Sequence, residues 1–203
     1  MSTGSHSRRR LIGRMAGVVA ACVAMLAPGS HVASAGGPTC FGRTATILGD
    51  QGSERIRGTS GSDVIVGFGG QDVIISRAGN DFVCGKGGAD ALRGGPGNDR
   101  MVGNRSSDRI IGGSGDDFIR GGRRADRLNV GRHESGDDRV LGGFGNDVLR
   151  AGRGRDRLFG NHGSDSLAEG RADSRVDRLS GGLGIDTCRA GTEDLFRDCE
   201  TRS

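Results

Sequence analysis

The sequence is poor in large side chains. It contains no tryptophan, no tyrosine, three prolines and seven phenylalanines, against 41 glycines in 203 residues. Because a globular core is stabilised by the burial of large apolar side chains, this composition argues against a thick core. High glycine and charge content also suits a disordered chain, so only a regular placement of the apolar residues can argue for a fold.

Residue patterns typical of catalytic sites are absent. The chain has neither Gly-x-Ser-x-Gly nor His-Glu-x-x-His, and beyond residue 35 its histidines are His133 and His162. The absence of a Cys-x-x-Cys pair argues against a zinc site. A nine-residue repeat occupies residues 49–189 and leaves only short segments at its two ends, which have no room for a catalytic domain. We therefore predict a protein that is not an enzyme.

What the chain does contain is a period of nine residues. Read from Gly94, Gly112 and Gly142, it runs Gly-Gly-Pro-Gly-Asn-Asp-Arg-Met-Val, Gly-Gly-Ser-Gly-Asp-Asp-Phe-Ile-Arg and Gly-Gly-Phe-Gly-Asn-Asp-Val-Leu-Arg. The sixth position is acidic throughout: Glu54, Asp63, Asp72, Asp81, Asp90, Asp99, Asp108, Asp117, Asp126, Asp138, Asp147, Asp156, Asp165, Asp177 and Asp186. The eighth position is apolar throughout: Ile56, Ile65, Ile74, Val83, Leu92, Met101, Ile110, Ile119, Leu128, Val140, Leu149, Leu158, Leu167, Leu179 and Cys188. Fifteen nonapeptides therefore span residues 49–189. Two of them, those that contain Asp138 and Asp177, carry three-residue insertions before the aspartate.

The positions of the nonapeptide have distinct physical roles. Glycine at positions one, two and four permits positive φ angles, so six residues can form a tight turn. Positions seven to nine then form a short strand in which only the middle side chain points inward. A single inward apolar residue cannot be buried by its own turn, so successive turns must stack on one another.

These nonapeptides resemble the RTX or haemolysin-type calcium-binding repeat of secreted bacterial proteins, Gly-Gly-x-Gly-x-Asp-x-U-x with U apolar. The resemblance implies an all-β fold, a parallel β-roll of about fifteen half-coils in which two nonapeptides form one coil. Loops on the same edge of the roll are then eighteen residues apart. In that family, the aspartate and the loop carbonyls of same-edge neighbours hold Ca²⁺ between them.

The best candidate calcium loops follow from this spacing, because Ca²⁺ needs six to eight oxygen ligands and one loop offers too few. The complete Gly-Gly-x-Gly-x-Asp loops end at Asp99, Asp117, Asp147 and Asp186. The first predicted row, on one edge, consists of Asp63, Asp81, Asp99 and Asp117. The second edge is predicted to contribute two shorter rows, formed by Asp72 with Asp90 and by Asp147 with Asp165.

Other loops are expected to bind metal poorly. Ser106 and Arg124 replace the fourth glycine before Asp108 and Asp126, and we expect these two carboxylates to pair with arginine instead. The inserted turns before Asp138 and Asp177 are expected to interrupt the metal rows. An alternative for the whole set is that each aspartate only caps its own turn by accepting hydrogen bonds from nearby amides.

The N-terminus has the features of a signal peptide. Four arginines between residues 8 and 14 precede an apolar run at 15–27, and Ala-Ser-Ala at 33–35 forms a small-residue cleavage site. Residues 7–12, Ser-Arg-Arg-Arg-Leu-Ile, also resemble a twin-arginine export motif. Ordinary secretion is preferred over twin-arginine export, because arginine clusters are usual in signal peptides. We divide the chain into a signal peptide at 1–35, an N-terminal cap at 36–48, the roll at 49–189 and a C-terminal cap at 190–203, and predict a secreted, extracellular protein.

Export changes the charge of the chain and the state of its cysteines. Without the four N-terminal arginines, 25 basic residues face 25 acidic ones, so nucleic acid is not an expected partner. The apolar run at 15–27 is too short for a comfortable membrane span, so no span is expected in the mature chain. Four cysteines remain, and an even number in an exported chain suggests disulfides. We predict the pairs Cys40–Cys84 and Cys188–Cys199, each pinning one end of the solenoid, with free thiols as the alternative.

Arginine is frequent at position seven, which faces outward. Arg139, Arg157 and Arg178 should occupy successive strands of one sheet, about 4.8 Å apart. Stacked like charges are unfavourable unless an anion lies over them, so a cell-wall polymer or another extracellular polyanion is a candidate partner. The alternative is a solvated face that is balanced by nearby acids. The function predicted first is a secreted calcium-binding β-roll that folds on binding several Ca²⁺ ions, and polyanion binding is the second.

Overall fold

The computed structural model describes residues 31–32, 36–131, 135–169, 175–189, 191 and 194–202. Most of the predicted signal peptide lies outside these residues. The described strands and loops include no helix, and so none that could cross a membrane. In chain order the strands are β1 His31–Val32, β2 Thr39–Cys40, β3 Arg43–Thr44, β4 Ile47–Leu48, β5 Arg55–Arg57, β6 Val64–Phe68, β7 Val73–Ile75, β8 Phe82–Lys86, β9 Ala91–Pro96, β10 Arg100–Asn104, β11 Arg109–Ser114, β12 Phe118–Arg123, β13 Arg127–Asn129, β14 Arg139–Phe144, β15 Val148–Arg150, β16 Arg157–His162, β17 Ser166–Ala168, β18 Arg178–Leu183, β19 Thr187–Arg189, β20 Leu195–Arg197 and β21 Thr201–Arg202.

The strands from β4 onward alternate between two parallel sheets. Sheet one has the order β1-β4-β6-β8-β10-β12-β14-β16-β18-β20, in which β1 is antiparallel to β4, and sheet two has the order β5-β7-β9-β11-β13-β15-β17-β19-β21. Met101 of β10 lies opposite Val83 of β8 and Ile119 of β12, each eighteen residues away. Each coil therefore contributes one strand to each sheet, which confirms the predicted parallel β-roll.

The core is a single file of side chains between the two sheets. All fifteen residues at position eight are at most 2% exposed, while their neighbours at positions seven and nine point outward. Full burial of one aliphatic side chain is worth roughly 1.5–3 kcal/mol. One nonapeptide cannot bury its own apolar side chain, and therefore the coils are stable only as a stack.

The first insertion leaves the stack in register. Near this insertion the structure describes residues up to Gly131 and again from Ser135. Ser135 forms a parallel bridge with Arg153, which lies in the next loop on the same edge of the roll. Across the second insertion, Arg178 lies opposite Arg157. Without the three inserted residues, these two positions would be eighteen residues apart, as in the other coils. Both insertions lie in loops on the same edge of the roll.

The roll extends beyond the nonapeptides at both ends. Strand β4 places Ile47 in the core at 5% exposure, and β20 places Phe196 against the other end of the core. Strand β21 pairs with β19 in sheet two. The segments predicted as caps thus contribute strands of their own. Ile47 keeps the nine-residue spacing to Ile56, whereas Phe196 follows Cys188 after eight residues.

Both predicted disulfides are present, but the first lies elsewhere than expected. Cys188–Cys199 closes the C-terminal end of the core. Cys40–Cys84 instead attaches the β2–β3 hairpin to the outer face of sheet one, where Ala45 packs beside it. Phe41 of this hairpin makes edge-to-face contacts with Phe82 and Phe118, at centroid distances of 6.1 and 6.2 Å. Because Cys84 is at position nine and points outward, it can reach only this face.

Candidate metal-binding loops

The acidic residues lie in loops along two edges of the roll. Edge one, defined by the loops that lead into sheet one, carries Asp63, Asp81, Asp99, Asp117, Asp138, Asp156, Asp177 and Asp194. Edge two, defined by the loops that lead into sheet two, carries Glu54, Asp72, Asp90, Asp108, Asp126, Asp147, Asp165, Asp186 and Glu200. The structure therefore brings each predicted row together, and each predicted row is part of a longer one.

Hydrogen bonds join the aspartates of one edge into a continuous ladder. Oδ1 of each aspartate accepts a hydrogen bond from the backbone N–H of the preceding same-edge aspartate. In this way Asp81 accepts from Asp63 at 2.8 Å, and Asp99 accepts from Asp81 at 2.9 Å. The side chains are buried, and Asp99 is fully buried, so position six contributes to the interior of the roll along with position eight.

The second carboxylate oxygen, Oδ2, points towards the glycine at position one of its own loop. A β-carbon added to Gly94 would collide with Oδ2 of Asp99 and with the carbonyl oxygen of Gly112. This explains why position one is glycine in most turns. Among the described residues, Oδ2 is buried and accepts no hydrogen bond in Asp72, Asp90, Asp99, Asp108, Asp126, Asp147, Asp165 and Asp186.

Burial raises the pKa of several of these carboxyl groups, because desolvation disfavours the charged form. The pKa of Asp99 is raised to about 7 by burial, with a further contribution from the charges of Asp117 and Asp81. Burial likewise raises the pKa of Asp126 and that of Asp138 to about 8. Rows of adjacent buried carboxylates cannot all remain charged at neutral pH without nearby cations. In the absence of cations, some of them must bind a proton.

The loops with a substituted fourth glycine also turn through a positive φ, but at a smaller angle. Ser106 and Arg124 have φ angles of +72° and +77°, whereas Gly97 has +133° at the same position. The expected pairing of Asp108 and Asp126 with arginine is wrong. Among the described residues no arginine contacts either carboxylate, and Oδ1 of each accepts a backbone N–H.

The insertions do not interrupt the ladder. Asp138 Oδ1 accepts from the N–H of Asp117 at 2.7 Å across the first insertion, and Asp177 Oδ1 accepts from Asp156 at 2.8 Å across the second. Whether the metal rows are interrupted there stays a prediction.

A second ladder at position five was not predicted. On edge one, Oδ1 of Asn80 accepts the N–H of Asn98 at 2.8 Å. The row continues with Oδ1 of Asn98 accepting from Asp116 and Oδ1 of Asp116 accepting from Asp137. It runs in the opposite direction to the position-six ladder and lies at the surface. Asn or Asp before the aspartate in Gly-Gly-x-Gly-[Asn/Asp]-Asp was the available sequence signal.

The donor atoms on edge one are oxygens, which suit Ca²⁺. Besides the carboxylates, the carbonyl oxygen of Gly79 occupies the space that a β-carbon on Gly97 would need, and the carbonyl oxygen of Gly97 does the same at Gly115. Within the described ranges no three His, Cys, Asp or Glu side chains cluster as a metal site. A cation between two loops would therefore draw most of its ligands from backbone carbonyls, with Oδ2 as the carboxylate ligand that lacks another partner. On the chemistry of its donors, edge one fits calcium.

Comparison with known proteins agrees with this reading. The family model of the RTX calcium-binding nonapeptide repeat matches the chain in four copies, at residues 48–83, 85–119, 93–128 and 134–167. No curated protein matches the chain. The family matches cover more than half of the sequence and include all the predicted calcium rows. The chain belongs to the family of RTX calcium-binding nonapeptide repeat proteins.

Proposed function

We propose that this protein is a secreted, non-catalytic structural module whose roll is completed by calcium. The observation that carries the proposal is the pair of carboxylate ladders with buried, unpartnered Oδ2 atoms and raised pKa values. Calcium-binding repeats in a β-solenoid fit a structural calcium-binding module. Export is supported by the signal-peptide features at 1–35 and by the two disulfides.

Calcium would act by neutralising the ladders. Without it, carboxylates about 4.8 Å apart repel one another within a desolvated interior. With it, Asp81, Asp99 and Asp117 and the loop carbonyls between them would share the cation's charge. Folding and metal binding would then be coupled, and the affinity should suit extracellular calcium, on the order of 10⁻⁴–10⁻³ M.

A calcium titration of residues 36–203 tests this proposal directly. Circular dichroism should show a gain of β structure, and the thermal midpoint should rise as calcium is added and fall again with a chelator. If neither quantity responds to calcium or to the chelator, the proposed function is wrong.

Asparagine substitutions separate calcium binding from simple turn capping. Asp99→Asn keeps the Oδ1 acceptor for the N–H of Asp81 but removes the charge that a cation needs. We expect Asp99→Asn to raise the calcium concentration at half-maximal folding several-fold, and the matched Asp126→Asn to raise it less, because Arg124 interrupts the motif in that loop. An unchanged calcium midpoint in Asp99→Asn would favour turn capping alone.

A second candidate function is the binding of a polyanion by arginines on the faces of the sheets. The observation that favours it is the register of sheet one, in which Arg139 lies opposite Arg157 and Arg157 lies opposite Arg178. The predicted single-file placement of these three residues is confirmed.

A further inference from the structure

We propose that the C-terminal half of the outer face of sheet one is a binding site for a linear acidic polysaccharide of uronate type, whose chain runs along the solenoid axis. This inference rests on the second candidate function and specifies its location, its ligand class and its orientation. The face is named the arginine face and consists of Arg139, Arg157, Phe159, Arg178, Leu195 and Arg197.

The arginine face begins where the N-terminal hairpin ends. The position-seven row of sheet one contains Phe82, Arg100 and Phe118 before it reaches Arg139. Phe41 of the hairpin contacts both phenylalanines and so covers the row on either side of Arg100. The hairpin therefore leaves only the second half of the row open to a ligand.

The arginines of this face have no ion-pair partners within the described part of the chain. The ion pair found there joins Arg175 to Asp137, at 3.8 Å, in the loops of edge one. The aspartates that precede Arg139 and Arg157 are turned inward and buried, so they do not neutralise the face. Three exposed guanidinium groups on neighbouring strands repel one another unless an anion lies over them.

The floor of the face is apolar. The guanidinium carbon of Arg139 lies 5.6 Å from the centre of the Phe159 ring. Leu195, which pairs with Arg178, is 54% exposed and lines the same shallow groove. Rings and aliphatic carbons between cations suit a ligand that combines apolar faces with regularly spaced anionic groups.

The spacing of the arginines selects the repeat length of the ligand. Neighbouring strands are about 4.8 Å apart, which is close to the length of one sugar residue in an extended polysaccharide. Each arginine can then meet the carboxylate of one uronate residue in a bidentate hydrogen bond, while the sugar ring lies on the apolar floor. A ligand must span the three strands to use the whole row, so binding should depend on chain length.

Calorimetric titration of the calcium-loaded protein with oligogalacturonates tests the inference. The tetrasaccharide and hexasaccharide should bind, the disaccharide should bind at least tenfold more weakly, and the affinity should fall as salt is added. The triple variant Arg139→Ala, Arg157→Ala, Arg178→Ala should lose at least tenfold in affinity. Its thermal midpoint should be unchanged or higher, because mutual repulsion is removed.

The chain offers a matched control. Arg57, Arg93 and Arg189 are exposed at position nine of sheet two, but no two of them lie on neighbouring strands. Their triple alanine variant changes the net charge equally and should keep full affinity. Equal losses in both variants, an absence of binding, or tighter binding of linear polyphosphate than of the hexasaccharide would overturn the inference. Circular dichroism of the same samples shows whether the protein has folded with calcium, so failure of the proposed function is recognised separately.

Discussion

At the scale of single residues, glycine in this chain serves two different purposes. At position one it leaves room for the carboxylate of its own loop, because Oδ2 of the aspartate occupies the space of a β-carbon. At position four it allows the positive φ angle that most turns adopt, Gly61 being a position-four glycine without a positive φ. The nonapeptide signature therefore records one steric requirement and one conformational requirement, and they can be tested separately.

The steric requirement predicts that Gly94→Ala is strongly destabilising. The new methyl group would collide with Oδ2 of Asp99 and with the carbonyl of Gly112, and we expect a loss of about 2–3 kcal/mol in the free energy of unfolding. Gly61→Ala is the control, since its β-carbon would meet only Thr59 Oγ1 at 3.8 Å. Chemical denaturation measures both variants, and comparable losses would contradict the steric explanation.

The conformational requirement predicts that Arg124→Gly is stabilising. Arg124 has a φ of +77°, a conformation that costs a residue with a β-carbon roughly 1–2 kcal/mol. Replacing it with glycine should raise the thermal midpoint in the absence of calcium. It also completes the Gly-Gly-x-Gly-x-Asp motif before Asp126, so the calcium response of this loop should increase. A lower midpoint would show that the arginine side chain stabilises the loop in another way.

At the scale of elements, the stack depends on strands that each bury one side chain. Every coil is held by its neighbours through strand hydrogen bonds, the apolar file and the two carboxylate ladders. The terminal coils have one neighbour fewer, and a disulfide closes the C-terminal end. The other disulfide lies on the outer face of sheet one. The two bonds differ in what they hold, since one attaches a hairpin to a face and the other closes the core.

Removal of Cys40–Cys84 should therefore release the hairpin and leave the middle of the roll intact. In the double variant Cys40→Ser, Cys84→Ser, amide hydrogen exchange should accelerate at residues 36–46, while β12 to β16 keep their protection. The free energy of unfolding should fall by about 2–4 kcal/mol, because the bond closes a 44-residue separation. The matched Cys188→Ser, Cys199→Ser variant should keep the hairpin protected and expose the C-terminal strands instead. Uniform exchange along the roll in either variant would contradict this division.

At the scale of the whole molecule, the ladders make stability depend on pH. Burial raises the pKa of Asp90 to about 6, of Asp99, Asp108, Asp147 and Asp177 to about 7, and of Asp126 and Asp138 to about 8. The unfolded chain has carboxyl pKa values near 3.8–3.9. Between these values the folded state holds more protons than the unfolded state, so stability falls as pH rises.

We therefore predict that the calcium-free protein is more stable at pH 5 than at pH 8. Its thermal midpoint should decrease steadily across this range, because protons that neutralise the ladders are lost. Calcium should restore the midpoint most strongly at pH 8, where it replaces those protons. Differential scanning calorimetry of calcium-free and calcium-saturated samples measures both trends. A calcium-free midpoint that is constant or rises with pH would contradict the role assigned to the buried carboxylates.

Periodicity made the roll predictable before its structure was known. The acid at position six, the apolar residue at position eight and the eighteen-residue spacing of same-edge loops indicated the coils, the inward file and the pairing of Arg139 with Arg157. Both disulfides followed from the number of cysteines and their places near the two ends. These features depend on local geometry that repeats, and so a one-dimensional pattern is sufficient to describe them.

Other features depend on how the coils stack, and the repeating pattern of the sequence did not predict them. Phe196 and Glu200 join the stack at irregular spacings, and the insertion before Ser135 leaves the carboxylate ladder unbroken. The hairpin with Cys40 lies on a face and not at an end, because an outward residue such as Cys84 can bond only with chain that folds over that face.

The sequence by itself determined the repeating unit, since the conformational freedom of glycine and the alternation of a strand act within nine residues. Only the tertiary structure decided how the carboxylates are used, because the hydrogen bonds and the desolvation that raise their pKa values come from loops eighteen or more residues away. The same stacking decided which arginines remain uncovered, and hence where a ligand of the sheet face would bind.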